Sequence, residues 1–384
     1  IRFFGDIMMH SAQISNACKT DSEYDFSSYF HLLEDKIKEA DLAVANMEFT
    51  LAGEPYTGYP CFSAPDTLAT YLTDCGFDIF LAANNHIFDK GAKGAERTME
   101  IYRRLQKEKG IRFTGLAGNK DELEDNNPLI IRVKGISLAL INLTYGTNQG
   151  AGAEWPRTNY IGEKEKTADA FAAARKKGAD YIIALPHWGT EYVYEPDSSQ
   201  KRWAQLFADC GADLIIGTHP HVIEPVEWIT GAGGNKTLVY YSLGNFISAQ
   251  DKAPRMLGAM ADVTIEKDSD GQVVIKEYGV IPLVTHLAYG SKDMSTYKLS
   301  EYTEELAREI DERLAIILKG GSFISMTQAA VLVALEKADE AKIDFKTYSK
   351  INSKIDRDVI ICLLNLRSVL TKSINVKSLN DIAE

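Results

Sequence analysis

Cysteine is scarce in this 384-residue chain, and what there is does not form pairs. Cys18, Cys61, Cys75, Cys210 and Cys362 are odd in number and widely spaced, with no Cys-x-x-Cys among them. That argues against a disulfide framework and against a thiolate zinc site. Cys75 and Cys210 lie in matching contexts, Asp74-Cys-Gly-Phe-Asp78 and Asp209-Cys-Gly-Ala-Asp213. Each predicts a helix end, a glycine cap and a strand start, with the thiol packed in the core. Long apolar runs are missing too, so no stretch reaches the roughly 18 residues of a membrane span. Positive charge is in deficit: 42 Lys and Arg stand against 54 Asp and Glu, a net charge of −12. That balance argues against general binding to nucleic acid or to an anionic membrane surface. There is no internal repeat and no low-complexity tract. The chain opens without a lead-in on strand-like Ile1-Arg-Phe-Phe4, which we read as a trimmed or mature form.

What is present is an ordinary globular composition, 45% apolar and 25% charged, in a chain long enough for one large domain or two. Apolar runs at 1–9, 41–47, 77–83, 180–185 and 212–217 predict buried strands. Between them, helical spacing marks 26–40, 65–75, 91–109, 163–177 and 199–210. Lys134-Gly135 predicts a two-residue turn joining 129–133 to 136–143. The pattern then turns to β at 226–229, 238–242, 257–266 and 273–280, suggesting a second sheet packed on the first. Beyond about residue 299 it becomes helical, at 299–318, 327–341 and 356–372. Strand–helix alternation of this kind predicts an α/β fold, whose functional loops gather at the carboxyl ends of the strands.

Those ends carry the chemistry. Leu214-Ile-Ile-Gly-Thr-His-Pro-His221 closes an apolar strand on two histidines at i, i+2. Pro220 is expected to hold His219 extended, so that both imidazoles aim at one point. Other strands end in Asp6 with His10 beyond, in Asn46-Met-Glu48, in Asn84-Asn-His86 and in His187. Of seven histidines, His31 and His286 alone fall outside this set. Mixed imidazole, carboxylate and amide donors suit borderline divalent metals such as Zn, Mn, Fe or Ni. The donors suffice for two ions sharing one bridging carboxylate. Taken singly, each residue also has a plainer reading: Asp6 as a helix cap, Glu48 as a solvated acid, Asn84 and Asn85 as turn formers, His86 and His187 as structural imidazoles, Trp188 as packing. Arg255 and Lys252 are candidates to bind an anionic substrate, with solvated loop charges as the plainer reading.

Gly5-Asp6, Asn46-Met-Glu48, Ala83-Asn-Asn-His86 with Asp89 and Gly91, His187-Trp-Gly189 with Glu191-Tyr192, Gly217-Thr-His-Pro-His-Val222 and Ser242-Leu-Gly-Asn-Phe246 occur in this order. Together they resemble the bacterial capsule-synthesis protein family, CapA or PgsA, of poly-gamma-glutamate biosynthesis, over residues 1–285. That family is similar to the calcineurin-like metallophosphoesterases. The resemblance implies a four-layer α/β/β/α metallophosphoesterase-like sandwich, here spanning 1–320, with a C-terminal helical extension at 321–384. It implies two divalent metal ions (Mn, Zn or Fe) held by Asp6, Glu48, Asn85, His187, His219 and His221, with His10 as a further candidate. By the same resemblance, Asp6 and His221 serve one ion, Asn85, His187 and His219 the other, and Glu48 takes the bridging place where Asp is commoner. His86 is the implied general acid. Asn46, Asn84, Trp188, Glu191, Tyr192 and Asn245 are expected around the substrate or behind the ligands. Where the superfamily has Asp-x-His, this chain reads Asp6-Ile-Met8, with His10 four residues after Asp6. The implied function is metal-dependent hydrolysis of a phosphoester or polyglutamate-related substrate. The alternative is a non-catalytic component that binds the anionic polymer or a membrane-bound capsule synthase. Either implies an extracytoplasmic protein, secreted or anchored through a removed N-terminal segment, that does not act on nucleic acid.

Overall fold

The computed structural model describes residues 1–20, 23–287, 294–302 and 306. Two sheets face each other. The first runs, edge to edge, Met294–Lys298, Val273–Leu287, Leu257–Lys267, Arg2–Ile7, Ala43–Met47, Ile79–Leu81 and Arg112–Thr114. Arg2–Ile7 and the three strands after it in this order are parallel, and the short strand Asn245–Ile247 pairs with the end of Arg2–Ile7. The second sheet runs Val226–Thr230, Lys236–Tyr240, Leu214–Ile216, Tyr181–His187, Ile136–Thr144 and Leu129–Val133. Its four inner strands are parallel, and both edges are antiparallel.

Strand periodicity distributes the core. Leu138, Leu140, Ile183, Leu214, Ile216 and Tyr240 face the first sheet, where they meet Phe3, Val44 and Ile79. Their neighbours Ala139, Ile141, Ile182, Ala184 and Ile215 point the other way, onto Phe171, Ala174, Ala204 and Phe207 of helices Lys164–Lys176 and Ser198–Asp209. On the far side of the first sheet, Phe4, Ala45 and Phe80 pack on Leu68 and Leu72 of Asp66–Asp74 and on Met99 and Tyr102 of Gly91–Lys109. Three apolar interfaces between four layers make an α/β/β/α sandwich. The inner parallel strands are buried on both faces, which is why they read as continuous apolar runs.

The later β segments depart from expectation: they do not build the second sheet by themselves. Leu257–Lys267 and Val273–Leu287 extend the first sheet beside Arg2–Ile7, while Val226–Thr230 and Lys236–Tyr240 extend the second. Pairing partners far apart in the chain leave no local trace in either segment. Residues 26–40 form two short helices, Ser27–Phe30 and Glu34–Lys38, whose Phe30, Leu33 and Ile37 nevertheless bury as one face. The Lys134-Gly135 turn is as expected, both residues having positive φ (45° and 82°) in an antiparallel hairpin. Gly76 and Gly211 cap their helices with φ of 106° and 87°. Cys75 is buried behind its cap, but Cys210 is only half-buried. Leu299–Glu301 is a single 3-10 turn. The helices expected beyond it, and the extension at 321–384, lie outside the described residues. No helix among the described residues is long and apolar enough to cross a membrane.

Candidate functional site

Both sheets send the carboxyl ends of their parallel strands to one place. Asp6 comes at the end of Arg2–Ile7, and Glu48 follows Ala43–Met47. His187 closes Tyr181–His187, while His219 and His221 follow Leu214–Ile216. All five are buried. Ligand atoms of Asp6, Glu48 and His187 lie within 4.8 Å of one another, and so do those of Glu48, His219 and His221. Glu48 belongs to both groups. Its Oε1 is 3.5 Å from His187 Nε2 and 3.7 Å from His221 Nε2.

The polar contacts explain how the groups are held. Asp6 Oδ1 accepts from Asn46 Nδ2 at 2.7 Å, and Oδ2 accepts the His219 backbone N–H at 3.2 Å. Asp6 Oδ2 also lies 3.0 Å from His221 Nδ1, and that nitrogen is 3.0 Å from Asn245 Oδ1. His187 is fixed by Thr218 Oγ1 at Nδ1 (3.0 Å) and by Asn85 Oδ1 at Nε2 (2.9 Å). The close pairs Asp6–His221 and Asn85–His187 follow the division that the family resemblance implies. The two groups of three divide the histidines differently, because Glu48 is near enough to serve all of them.

Burial sets the protonation. Burial alone would raise the Asp6 carboxyl, but the His221 hydrogen bond, with the His221 and His187 rings alongside, pulls it below the ordinary value. Glu48 goes the other way, pushed well above the carboxylate range by burial and then by the Asp6 charge. Burial drives His187 down to about 3 and His219 well below its usual value, so both imidazoles are neutral. Neutral imidazoles are the form that binds a divalent cation, whereas Glu48 would give up its proton on binding one.

Among the described residues, several ligand atoms have no hydrogen-bond partner. Both carboxylate oxygens of Glu48, Oδ1 of Asn46 and Nδ1 of His219 are buried without a hydrogen bond. A buried carboxylate with neither oxygen satisfied is costly unless something else meets it. Backbone strain converges here as well: His219, His221 and Tyr192 take positive φ of 101°, 57° and 65°. His219 is therefore not extended as Pro220 led us to expect. The Asp6 contact to its N–H, with Tyr192 N–H donating to Pro220 O at 2.8 Å, holds the turn in a strained form.

His86 stands beside the cluster. Its Nδ1 is 2.7 Å from Asp89 Oδ2, and its backbone N–H donates to Asn84 Oδ1 at 3.0 Å. Asn84 in turn donates to Met47 O at 2.8 Å. Asn46, Asn84 and Asn245 thus hydrogen-bond Asp6, the Met47 carbonyl and His221. Tyr192 faces His221 with 6.0 Å between ring centres, and Glu191 is exposed beside it.

Two expectations are corrected. Trp188 follows His187 directly and therefore points to the opposite face of the sheet, where it stacks on Phe207 at 5.8 Å and donates to Tyr241 O. It is a core residue. His10 belongs to neither group of ligand atoms. It caps helix Ser11–Ala17, meets Gln13, and accepts the Ala249 N–H at Nδ1 (3.2 Å), and burial lowers it to about 4.

Residues missed in the sequence are Tyr145, Thr218 and Asn148. Tyr145 is half exposed, with its ring 4.6 Å from that of His219. It sits at the end of strand Ile136–Thr144, and applying the strand-end rule there would have found it.

The family model described as "bacterial capsule synthesis protein PGA_cap" matches residues 1–250. The PGA biosynthesis protein CapA of Bacillus subtilis (strain 168) is 27% identical over 297 residues, 74% of this chain and 71% of that protein. The capsule biosynthesis protein CapA of Bacillus anthracis is 28% identical over 258 residues, 64% of this chain but 59% of that protein. A solved calcineurin-like phosphoesterase, YfkN from Bacillus subtilis, aligns with a TM-score of 0.41 and 12% identity, covering 83% of this chain and 98% of that one.

Proposed function

Because the chain belongs to the bacterial capsule synthesis protein family, we propose that it is a metal-dependent hydrolase of capsule or poly-gamma-glutamate biosynthesis, acting on a phosphoester or polyglutamate-related substrate. The observation that carries this reading is Glu48: buried, without a hydrogen bond at either oxygen among the described residues, and common to two groups of ligand atoms. Asp6, Glu48, Asn85, His187, His219 and His221 would hold two divalent ions, for which Mn, Zn or Fe suit the mixed donors. Bound there, such ions would supply Lewis acidity and a hydroxide source near neutral pH.

The protein's own groups have the remaining tasks. Asp89 fixes His86 through Nδ1, which leaves Nε2 as the nitrogen to donate a proton to a leaving group. Asn46 and Asn245 fix the orientation of Asp6 and His221, and Thr218 that of His187. Tyr145 and Tyr192 flank the histidines and would position the substrate.

A second reading has its own observation. Glu48 stands where Asp is commoner, and His10 lies outside both ligand groups, which favours a non-catalytic component that binds the anionic polymer or a membrane-bound synthase. We place either activity outside the cytoplasm, on the family resemblance. Fractionation of cells carrying the full-length gene tests that placement, and a purely cytosolic protein would contradict it.

The decisive experiment is elemental analysis of protein purified without chelator, beside a His219→Ala, His221→Ala double variant. About two equivalents of Mn, Zn or Fe, lost in the variant, are expected. No metal, even after incubation with Mn and Zn, would favour the binding component.

A further inference from the structure

Arg255 meets an aromatic ring rather than an acid. Among the described residues its guanidinium makes no hydrogen bond and no ion pair. It is half-buried in the short helix Ala253–Met256 and lies over the Tyr192 ring, 3.4 Å from the ring centre. Neighbouring Lys252 is exposed, as a loop charge should be, and Arg255 is not.

Two links fix its place at the centre. Tyr192, on which it stacks, faces the His221 ring. Asn245, whose Oδ1 meets His221 Nδ1, donates from Nδ2 to the Arg255 carbonyl at 2.9 Å. Gln250 Nε2 reaches both the Tyr192 hydroxyl (3.4 Å) and Met8 Sδ (4.0 Å), closing the same corner. The backbone of Arg255 and the aromatic plane under its side chain are thus both tied to His221. Stacking on an aromatic face holds a guanidinium flat and leaves its edge donors free. That edge matches a carboxylate or phosphate through two parallel hydrogen bonds. The surroundings call for a cation: the exposed carboxylate of Glu191 and the buried Glu48 both act on Tyr192.

Resting on the function argued above, we propose that Arg255 is the substrate-anion clamp of this site, gripping a carboxylate or phosphate oxygen pair on the substrate beside the bond that reacts. The substrate class is therefore anionic at a second position, apart from the group presented to Asp6, Glu48 and the histidines. Arg255 acts on binding and orientation and takes no part in proton transfer.

The test is calorimetric titration with two probes, a synthetic γ-linked triglutamate and inorganic phosphate. Each is titrated into protein supplied with Mn and into chelated protein, for wild type, Arg255→Ala and Arg255→Lys. Circular dichroism and thermal melts confirm that each variant is folded. Arg255→Ala is expected to weaken at least one probe roughly tenfold or more, the size of lost charge-assisted hydrogen bonds. Arg255→Lys keeps the charge without the fork and should fall between. The probe that responds assigns the source of the oxygens, carboxylate or phosphate. The clamp is overturned if wild type binds neither probe in either state, or if Arg255→Ala binds both as tightly as wild type. Binding through Arg255 in a protein that hydrolyses nothing would overturn the hydrolase reading and leave the clamp standing. Hydrolysis with Arg255-independent binding would do the reverse.

Discussion

At the scale of single residues, the site is a set of groups whose charges the fold has pushed apart. Two buried carboxylates side by side cannot both ionise cheaply, so Asp6 keeps its charge while Glu48 is driven up. His86 differs in being held by a dedicated acid, Asp89, at 2.7 Å. If it is the proton donor, His86→Ala should lower hydrolysis by roughly 10²–10⁴-fold while bound metal is unchanged. Asp89→Asn should give a smaller loss, since the ring keeps an acceptor but not a charge. Steady-state rates on a chromogenic phosphoester, read with metal content, check both; an active His86→Ala enzyme would remove the residue from the mechanism. A separate buried acid makes a cleaner pH prediction. Glu224 accepts from Gln200 Nε2 at 2.6 Å on one oxygen, has no partner on the other, and is pushed by burial from 4.5 to about 8. Because the folded state holds this proton more tightly than the unfolded chain, its contribution is full below about pH 4.5 and is lost as pH rises through about 8. Glu224→Gln keeps the acceptor for Gln200 and cannot ionise. Its melting temperature should therefore exceed that of wild type above pH 8, and the two curves should converge in acid. Parallel curves at all pH values would show that Glu224 titrates normally.

At the scale of elements, close backbone approaches decide which strand ends meet. An added Cβ on Gly5 would sit 2.0 Å from Gly244 O, so the strand carrying Asp6 can approach Asn245 only because residue 5 is glycine. Backbone cannot swing aside as a side chain can. Gly5→Ala should lower stability by about 2–3 kcal/mol, seen as a reduced urea midpoint at unchanged slope, and should weaken metal binding with it. A midpoint equal to wild type would mean that the strands are free to part. Seven residues of the centre were legible in the sequence because each follows an apolar run, and an apolar run that stops on Asp, Asn or His is a strand end presenting polar groups. The helix caps at Gly76 and Gly211 and the Lys134-Gly135 hairpin were legible for local reasons of the same kind. The sheet membership of Leu257–Lys267 and Val273–Leu287 was not, because this hairpin joins the sheet through the pairing of Leu257–Lys267 with Arg2–Ile7, which spans most of the described chain. Nor was the φ of His219: Pro220 disfavours a helical His219, but the Asp6 carboxylate, more than two hundred residues away in sequence, selects the strained alternative. Trp188 misled because a motif quotes residues in order, while a strand turns alternate ones to opposite sides.

At the scale of the whole molecule, the centre lies on the seam between the two sheets. Asp6 and Glu48 belong to the first sheet, and His187, His219 and His221 to the second. The apolar interface between the sheets holds them together, but at this end it gives way to buried polar groups, several without partners. A cation bound to ligands from both sheets would satisfy those groups and tie the layers where the apolar interface gives way to polar groups. Ligands that bind only the folded state stabilise it in proportion to the logarithm of their excess over the dissociation constant. Mn or Zn at a hundredfold excess should therefore add about 3 kcal/mol, and chelation should remove it. The coupling should pass through Glu48, the residue shared by both ligand groups. Glu48→Gln removes the charge that would bind a cation and also the cost of keeping an acid buried and protonated beside Asp6 in the metal-free protein. We expect the variant to melt higher than wild type in chelator, lower than wild type with metal present, and at nearly one temperature across both conditions. Differential scanning calorimetry of the two proteins, with and without chelator, reads all of this in one set of scans. A wild-type melting temperature indifferent to metal would show that the seam is closed by protein alone, and would leave the unsatisfied oxygens of Glu48 without an explanation.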